Sequence, residues 1–128
     1  MRRFYEFFAG GGMANAGLGS DWECVFANDI DLKKADGYRA NWGGAHLKVK
    51  DVAELKVKDL PLGRVDLAWA SFPCQDLSLA GAGAGLSGAR SGTFRPFWNQ
   101  MKALNAQQRA PKLVVLENVV GALTAGLK

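Results

Sequence analysis

The chain has 128 residues, of which 48% are hydrophobic and 22% are charged. This composition excludes an intrinsically disordered chain and predicts one globular domain over residues 1–128. Sixteen Lys and Arg residues against twelve Asp and Glu residues give a net charge of +4, which is compatible with a polyanionic partner but does not identify one.

The cysteine and histidine content argues against a metal site. Cys24 and Cys74 lie far apart, and His46 is the only histidine, so we expect no zinc centre. No apolar stretch is long enough to span a membrane, so we expect no membrane segment. Glu6 interrupts the apolar N-terminal run, which is unlike a signal peptide. We therefore expect an intracellular, cytoplasmic protein with reduced thiols.

The first predicted elements form a strand, a glycine turn and a helix. Phe4–Ala9 is rich in aromatic residues and predicts a strand. Gly10–Gly12 follows at once, and Met13–Leu18 predicts a short helix that ends at Gly19. This order is typical of a nucleotide-binding domain, although glycine triplets also form ordinary turns and the full GxGxxG pattern is absent.

An acidic segment follows the second predicted strand, Cys24–Asn28. Asp29 comes 17 residues after the glycine triplet, close to the spacing at which an acidic residue meets a ribose hydroxyl. Ile30 could cover an adenine face. Alternatively, Asp29 or Asp31 merely caps the next predicted helix, Leu32–Asn41.

A weaker third strand is predicted at Leu47–Lys50, and Asp51 and Val52 follow it. Asp51 could reach an adenine amino group, or it could cap a helix. The lysines between positions 48 and 58 are typical of a solvated face.

A cysteine follows the fourth predicted strand, Val65–Ala70. Cys74 would lie where open α/β sheets bind their ligands, outside the carboxyl ends of the strands. Pro73 fixes the backbone before it, and the glycines from Gly81 to Gly92 would let a loop close over the site. The alternative is that Cys74 is a small buried hydrophobe. This stretch alone leaves the two interpretations about equal.

The last two predicted elements are a helix at Thr93–Gln108 and a strand at Lys112–Leu116. One face of the helix carries an aromatic stripe that favours core packing over a cofactor site, formed by Phe94, Phe97, Trp98, Met101 and Leu104. Glu117, Asn118 and Val119 come at the carboxyl end of the strand. The alternation of strands and helices predicts a parallel, doubly wound α/β sheet with right-handed crossovers.

Four motifs, taken together, resemble the cytosine-5 methyltransferase family, which methylates DNA and in one branch tRNA. They are Phe8-Ala9-Gly10-Gly11-Gly12, Asn28-Asp29-Ile30-Asp31, Phe72-Pro73-Cys74-Gln75 and Glu117-Asn118-Val119. The last two are the more specific, and the resemblance extends from residue 4 to residue 123. It implies a Rossmann-like S-adenosylmethionine-dependent methyltransferase fold, incomplete at the C-terminus, in a bacterial or phage cytoplasm.

The resemblance also implies a cofactor site for S-adenosylmethionine. Phe8 and two glycines of the turn would line the methyl donor, Asp29 would hold its ribose, and Ile30 and Asp51 would lie beside its adenine. The implied residues are Phe8, Gly10, Gly12, Asp29, Ile30, Asp51 and Val52. Glu6, Asp29 and Met13 stand where the family usually has Asp, Glu and Gly.

The implied catalytic residues lie in the last two motifs. Cys74 would be the nucleophile between Pro73 and Gln75, Glu117 would contact the cytosine ring, and Asn118 would help to hold the catalytic loop. Arg90 matches a loosely patterned arginine that follows this loop in the family.

The implied chemistry explains the residue types. A thiolate that adds to C6 of cytosine makes C5 nucleophilic, so that C5 can take a methyl group and then lose its proton. A carboxyl group at position 117 would have to hold a proton near pH 7, which burial at the strand end would favour. A cytosine in a duplex must also be flipped out of the stack.

Other functions stay open. The family continues with an Arg-x-Arg motif, a target-recognition region and a closing segment, so we expect a fragment, a truncated product or one half of a split enzyme with a complementary C-terminal polypeptide. A non-catalytic subunit that binds the methyl donor or a partner, and an RNA-directed methyltransferase, are the alternatives. A dehydrogenase would leave Cys74 and Glu117 unexplained.

Overall fold

The computed structural model describes residues 1–73 and 92–118. Its strands are β1 (Arg2–Phe7), β2 (Trp22–Asp29), β3 (Leu47–Val49), β4 (Leu67–Ser71) and β5 (Leu113–Glu117). Its α-helices are α1 (Met13–Leu18), α2 (Leu32–Trp42) and α3 (Phe94–Ala106). Cys74, Gln75, Arg90 and Val119 lie outside the described residues.

The strands form one parallel sheet in the order β3-β2-β1-β4-β5. The chain runs outward from β1 through β2 to β3, then returns to the other side of β1 to form β4 and β5. The order reverses between β1 and β4, which is the point where open α/β sheets bind ligands. The prediction of a parallel, doubly wound α/β sheet is therefore confirmed.

Apolar side chains cover both faces of the sheet. One core cluster packs α3 against the sheet and contains aromatic residues from β1, β2 and α3, among them Tyr5, Phe7, Phe26 and Phe97. The rings of Phe7 and Phe97 meet edge to face, with 4.9 Å between their centroids. Burial of one such ring contributes about 1.5–3 kcal/mol, so this cluster fixes how α3 lies on the sheet.

The second core cluster lies on the face covered by α2. It is smaller and is built from Ala9, Ala27, Ala35, Tyr38 and Leu47. Because alanine side chains are small, α2 can pack closely on the sheet, where it contacts β2 and β3. No helix in the described part of the chain is long and apolar enough to cross a membrane.

The observed helix α3 corrects one detail of the predicted aromatic stripe. Phe97, Met101 and Leu104 are buried as expected, but Trp98 is 41% exposed. Its ring stacks on Phe94 at a centroid distance of 6.0 Å. This residue therefore flanks the core instead of filling it.

Candidate active site

The glycine turn after β1 has an unusual backbone. Gly10 and Gly12 adopt φ angles of +56° and +90°, which glycine tolerates and other residues rarely adopt. Phe8 has a φ of 55° although it carries a side chain. A non-glycine residue in the left-handed region is uncommon and is found most often at functional sites.

Asp29 joins this turn to the end of β2. Its Oδ2 accepts a hydrogen bond of 2.7 Å from the backbone N–H of Gly10, and its Oδ1 accepts one of 2.9 Å from the N–H of Asp31. Each carboxylate oxygen has a second lone pair, so both can still accept from a ribose diol. The carboxylate can hold the turn and a ligand together.

Asp31 is the cap of α2, as one of the two sequence-based interpretations proposed. Its side chain accepts hydrogen bonds from the backbone N–H groups of Lys33 and Lys34. The bond from Lys34 N–H is the main reason why the pKa of Asp31 is lowered. Ile30 between the two acids is 65% exposed, so its side chain is free to cover a flat ligand.

Asp51 and Val52 follow β3 and line the same cleft. The side chain of Asp51 accepts a hydrogen bond of 2.9 Å from Ala53 N–H and caps the short 3-10 turn Val52–Glu54. Val52 is buried beneath it. Capping occupies one lone pair of Asp51, so a contact with an adenine amino group stays a prediction.

Asn28 fixes the position of the β3 end beside the end of β2. It is buried, and its Nδ2 donates to the carbonyl oxygens of Lys48 at 2.9 Å and Lys50 at 2.8 Å. The amide thereby ties the end of β3 to the end of β2. Sequence reasoning assigned Asn28 no role, since its partners lie 20 and 22 residues further along the chain.

These residues enclose a cleft of about 540 Å³ at the carboxyl ends of β1 to β4. The volume falls in the range of small-molecule sites. The lining residues come from all four strand ends and from the start of α2 and α3. They are Phe8, Gly10, Asn28, Asp29, Ile30, Asp31, Lys34, Lys50, Asp51, Val52, Ser71, Phe72, Pro73 and Thr93.

Six of the seven predicted cofactor residues line this cleft, and Gly12 does not. Gly12 faces the indole of Trp42 instead, so its contact with a cofactor stays a prediction. Sequence reasoning gave no role to Lys34, Lys50, Ser71 or Thr93. Of these four residues, only Ser71 could have been identified from the sequence, because it lies at the end of a strand.

Pro73 connects the wall of the cleft to the predicted nucleophile in the sequence. It lines the cleft at the end of the described stretch, directly before Cys74. Phe72 packs its ring against Phe8, with 4.9 Å between the centroids. Phe72 and Pro73, the last described residues of this stretch, therefore leave β4 beside the glycine turn.

Glu117 departs from the expectation of a buried carboxyl group. It pairs with Ser71 in the sheet, and its backbone carbonyl accepts a hydrogen bond of 3.1 Å from Phe72 N–H. Its side chain is exposed, because β5 is the edge strand of the described sheet. Glu117 lines a separate pocket of about 550 Å³, to which Ser71 also contributes. Asn118 follows it and is half-buried.

A buried acid lies beneath the glycine turn. Glu6 is 2% exposed, and its Oε2 accepts a hydrogen bond of 3.1 Å from the backbone N–H of Ala14 at the start of α1. Burial raises its pKa to about 7, and hydrogen bonds from the N–H groups of Ala14 and Asn15 oppose this change. Glu6 thus supports the turn from below.

Cys24 behaves as the core residue that the sequence predicts. It is a free thiol that is half-buried, and Tyr38 donates a hydrogen bond of 3.5 Å to its sulfur. Burial raises its pKa to about 11, so the thiol is unreactive near neutral pH. Within the described ranges, no group of three His, Cys, Asp or Glu side chains is arranged to hold a metal ion.

A glycine turn at a sheet switch point, an acid at the next strand end and an open cleft between them are typical of α/β domains that bind nucleoside-type ligands. The model of the family described as C-5 cytosine-specific DNA methylase matches residues 2–127. The chain therefore belongs to the C-5 cytosine-specific DNA methylase family.

Curated relatives agree with this assignment. The type II methyltransferase M.BsuFI of Bacillus subtilis is 32% identical over 122 residues, and the match spans 94% of this chain and 28% of that protein. The type II methyltransferase M.NlaX of Neisseria lactamica is 34% identical over 122 residues, spanning 93% of this chain and 36% of that protein. The chain thus corresponds to about a third of each relative's length.

Solved structures share the fold. The Dnmt2 methyltransferase of S. pombe superimposes with a TM-score of 0.68 at 23% identity, over 93% of this chain and 34% of that chain. The methyltransferase EhMeth of Entamoeba histolytica gives a TM-score of 0.70 at 17% identity, over 94% and 38%. The prediction of a Rossmann-like methyltransferase fold is confirmed.

Proposed function

We propose that this chain supplies the donor-binding and catalytic portion of a DNA cytosine-5 methyltransferase that uses S-adenosylmethionine. The observation that carries the proposal is the cleft at the sheet switch point, where Asp29 holds the glycine turn and still has lone pairs for a ribose diol. The predicted nucleophile follows one wall of this cleft directly in sequence.

The lining suits the parts of the proposed donor. Ile30 offers an exposed aliphatic face for an adenine, and Asp29 offers acceptors for the ribose hydroxyls. The backbone at Gly10 leaves room for a ligand, since a Cβ there would meet only the Lys34 side chain, at 4.0 Å. S-adenosylmethionine, when bound, supplies an electrophilic methyl group.

Cys74 is the proposed nucleophile. Its thiolate bonds to C6 of a flipped-out cytosine, which makes C5 nucleophilic. C5 then takes the methyl group and loses its proton to a base, and the bond between Cys74 and C6 breaks to restore the thiolate. Covalent catalysis of this kind divides one difficult substitution into easier steps. Pro73 and Gln75 would hold the backbone on either side of the sulfur.

Glu117 and Asn118 have supporting roles in this proposal. Glu117 would share a proton with N3 of the ring and so offset the charge that develops when Cys74 attacks C6. Because its side chain is exposed, its burial would have to come from the base itself or from polypeptide other than the described residues. Asn118 would hold the catalytic loop.

DNA is the proposed polymer, and RNA is the alternative that the test must separate. The family model and the type II relatives favour DNA. We propose that turnover needs polypeptide beyond this stretch, continuous with it or separate, because it corresponds to about a third of each relative. The bacterial relatives favour a bacterial cytoplasm.

The donor assignment is tested by calorimetric titration with S-adenosylmethionine and, as a comparison, with NAD. We expect saturable binding of the first and none of the second. Binding of NAD without binding of S-adenosylmethionine would favour a dehydrogenase and contradict the proposal. Binding of radiolabelled cytosine-containing DNA and RNA of equal sequence then compares the two polymers.

A further inference from the structure

Trp42, the last residue of α2, holds the glycine turn from outside the cleft lining. Its indole N–H donates a hydrogen bond of 3.0 Å to the carbonyl oxygen of Gly11. The ring is 36% exposed and is not part of the cleft lining. Its contact with the turn is therefore separate from any contact with a ligand.

The fit between Trp42 and Gly12 is tight. A Cβ placed on Gly12 would lie 2.2 Å from the indole nitrogen and 2.6 Å from Cδ1 of the same ring. No side chain can occupy that space without moving the ring. Gly12 is thus required both for its φ of +90° and because the indole fills the space where a side chain would stand.

Three side chains from three elements fix this short turn. Asp29 of β2 binds Gly10 N–H, Glu6 of β1 binds Ala14 N–H, and Trp42 of α2 binds the Gly11 carbonyl. The Gly12 N–H itself donates to Ala9 at 2.9 Å. The Trp42 bond anchors the exposed middle of the turn, where the backbone has most freedom to change.

We infer that Trp42 is a positioning residue for the methyl donor, and this inference rests on the proposed function. By holding the Gly11 carbonyl, it keeps the turn in the conformation that lets the donor approach Gly10 closely. Without that bond, part of the chain population adopts other turn conformations, and the donor must restore the productive one when it binds. Trp42 acts through the backbone and never touches the donor.

The test compares Trp42→Phe with Trp98→Phe. Phenylalanine keeps an aromatic ring at position 42 but cannot donate the hydrogen bond. Trp98 is a matched control, because it is similarly exposed and lies outside the cleft lining. Calorimetric titration of the whole chain with S-adenosylmethionine should show Trp42→Phe binding about three- to tenfold more weakly, in keeping with one lost hydrogen bond. Trp98→Phe should bind like the wild type.

Hydrogen exchange of the Gly12 amide, without donor, gives an independent readout. It should be faster in Trp42→Phe by a similar factor and unchanged in Trp98→Phe, while the unfolding midpoints of both variants stay together. Equal Gly12 exchange in the two variants would overturn the inference, and so would unchanged donor affinity in Trp42→Phe. A wild-type chain that binds no donor would refute the proposed function instead, and the exchange comparison would still decide whether Trp42 holds the turn.

Discussion

The carboxylate of Asp29 and the backbone N–H of Gly10 are joined by a hydrogen bond of 2.7 Å. This bond connects the end of β2 to the glycine turn after β1, so the two elements that would meet the donor form one unit. Hydrogen bonds to an ionised acceptor are shorter and stronger than neutral ones. Asp29 therefore has a structural role before any ligand is present.

Asp29→Ala should weaken the binding of S-adenosylmethionine by about ten- to a hundredfold, since a hydrogen bond to a charged group is worth about 1.5–3 kcal/mol. Asp29→Asn keeps one acceptor oxygen and should fall between the wild type and Asp29→Ala. Lys58→Ala is the control, because Lys58 is exposed and outside the cleft lining. Equal affinities of Asp29→Ala and Lys58→Ala in calorimetric titration would count against the assignment.

The buried carboxyl group of Glu6 should make stability depend on pH. Burial raises its pKa from 4.5 to about 7, so between these values the folded chain binds a proton that the unfolded chain releases. The free energy of unfolding should therefore fall as the pH rises from 4.5 to about 7. The fall should be no more than roughly 3 kcal/mol.

Glu6→Gln tests this dependence, because glutamine can still accept from Ala14 N–H but does not titrate. Urea unfolding of wild type and variant across this pH range should give a stability difference that grows in favour of the variant as pH rises. Burial lowers the pKa of His46, which makes the free energy of unfolding rise with pH. This contribution is the same in the wild type and in the variant, so it cancels in the difference between their stabilities. Glu23→Gln, at an exposed position of β2, should change nothing. A constant difference across the range would refute the role of Glu6.

Cys74 should form a covalent adduct with DNA that carries 5-fluorocytosine, when S-adenosylmethionine and the C-terminal part of a type II relative are supplied in trans. Fluorine at C5 cannot leave as a proton, so the thioether at C6 persists after methyl transfer. Cys74→Ser should abolish the adduct in denaturing gels and mass spectra. Cys24→Ser should not, because burial raises the pKa of Cys24 to about 11. An adduct that survives Cys74→Ser would exclude the proposed nucleophile.

Local sequence signals predicted the bounds of an element well where residues next to it in the sequence decide where it begins and ends. Helix α1 has the predicted bounds, Met13–Leu18, because glycines lie on both sides of it. The predicted first strand, Phe4–Ala9, instead runs from Arg2 to Phe7. It starts earlier because Arg2 pairs with Trp22 in the sheet, and it stops earlier because Phe8 takes a positive φ.

Other features depend on contacts that no local pattern encodes. The Asn28 bonds to β3 and the Trp42 bond to Gly11 both join residues 20 or more positions apart. The exposure of Glu117 depends on the position of β5 at the edge of the described sheet, which its own sequence does not reveal.

The chain alone should show little or no sustained turnover, and it should associate with itself. Leu113 and Leu116 on the edge strand β5 are 59% and 45% exposed, and an uncovered apolar edge favours pairing with another chain. Reading a DNA sequence also requires groups that reach base edges in a groove, and the described residues are largely committed to the sheet, its helices and the cleft. A charge of +4 gives only a weak hold on DNA, which salt would reduce further.

Leu113→Lys should lower the sedimenting mass toward that of a monomer without changing donor affinity, because Leu113 lies outside the cleft lining. Sedimentation and a labelled-methyl turnover assay on mixed-sequence DNA should be run on the same sample, and sustained turnover by a monomer of this chain would show that no further polypeptide is needed.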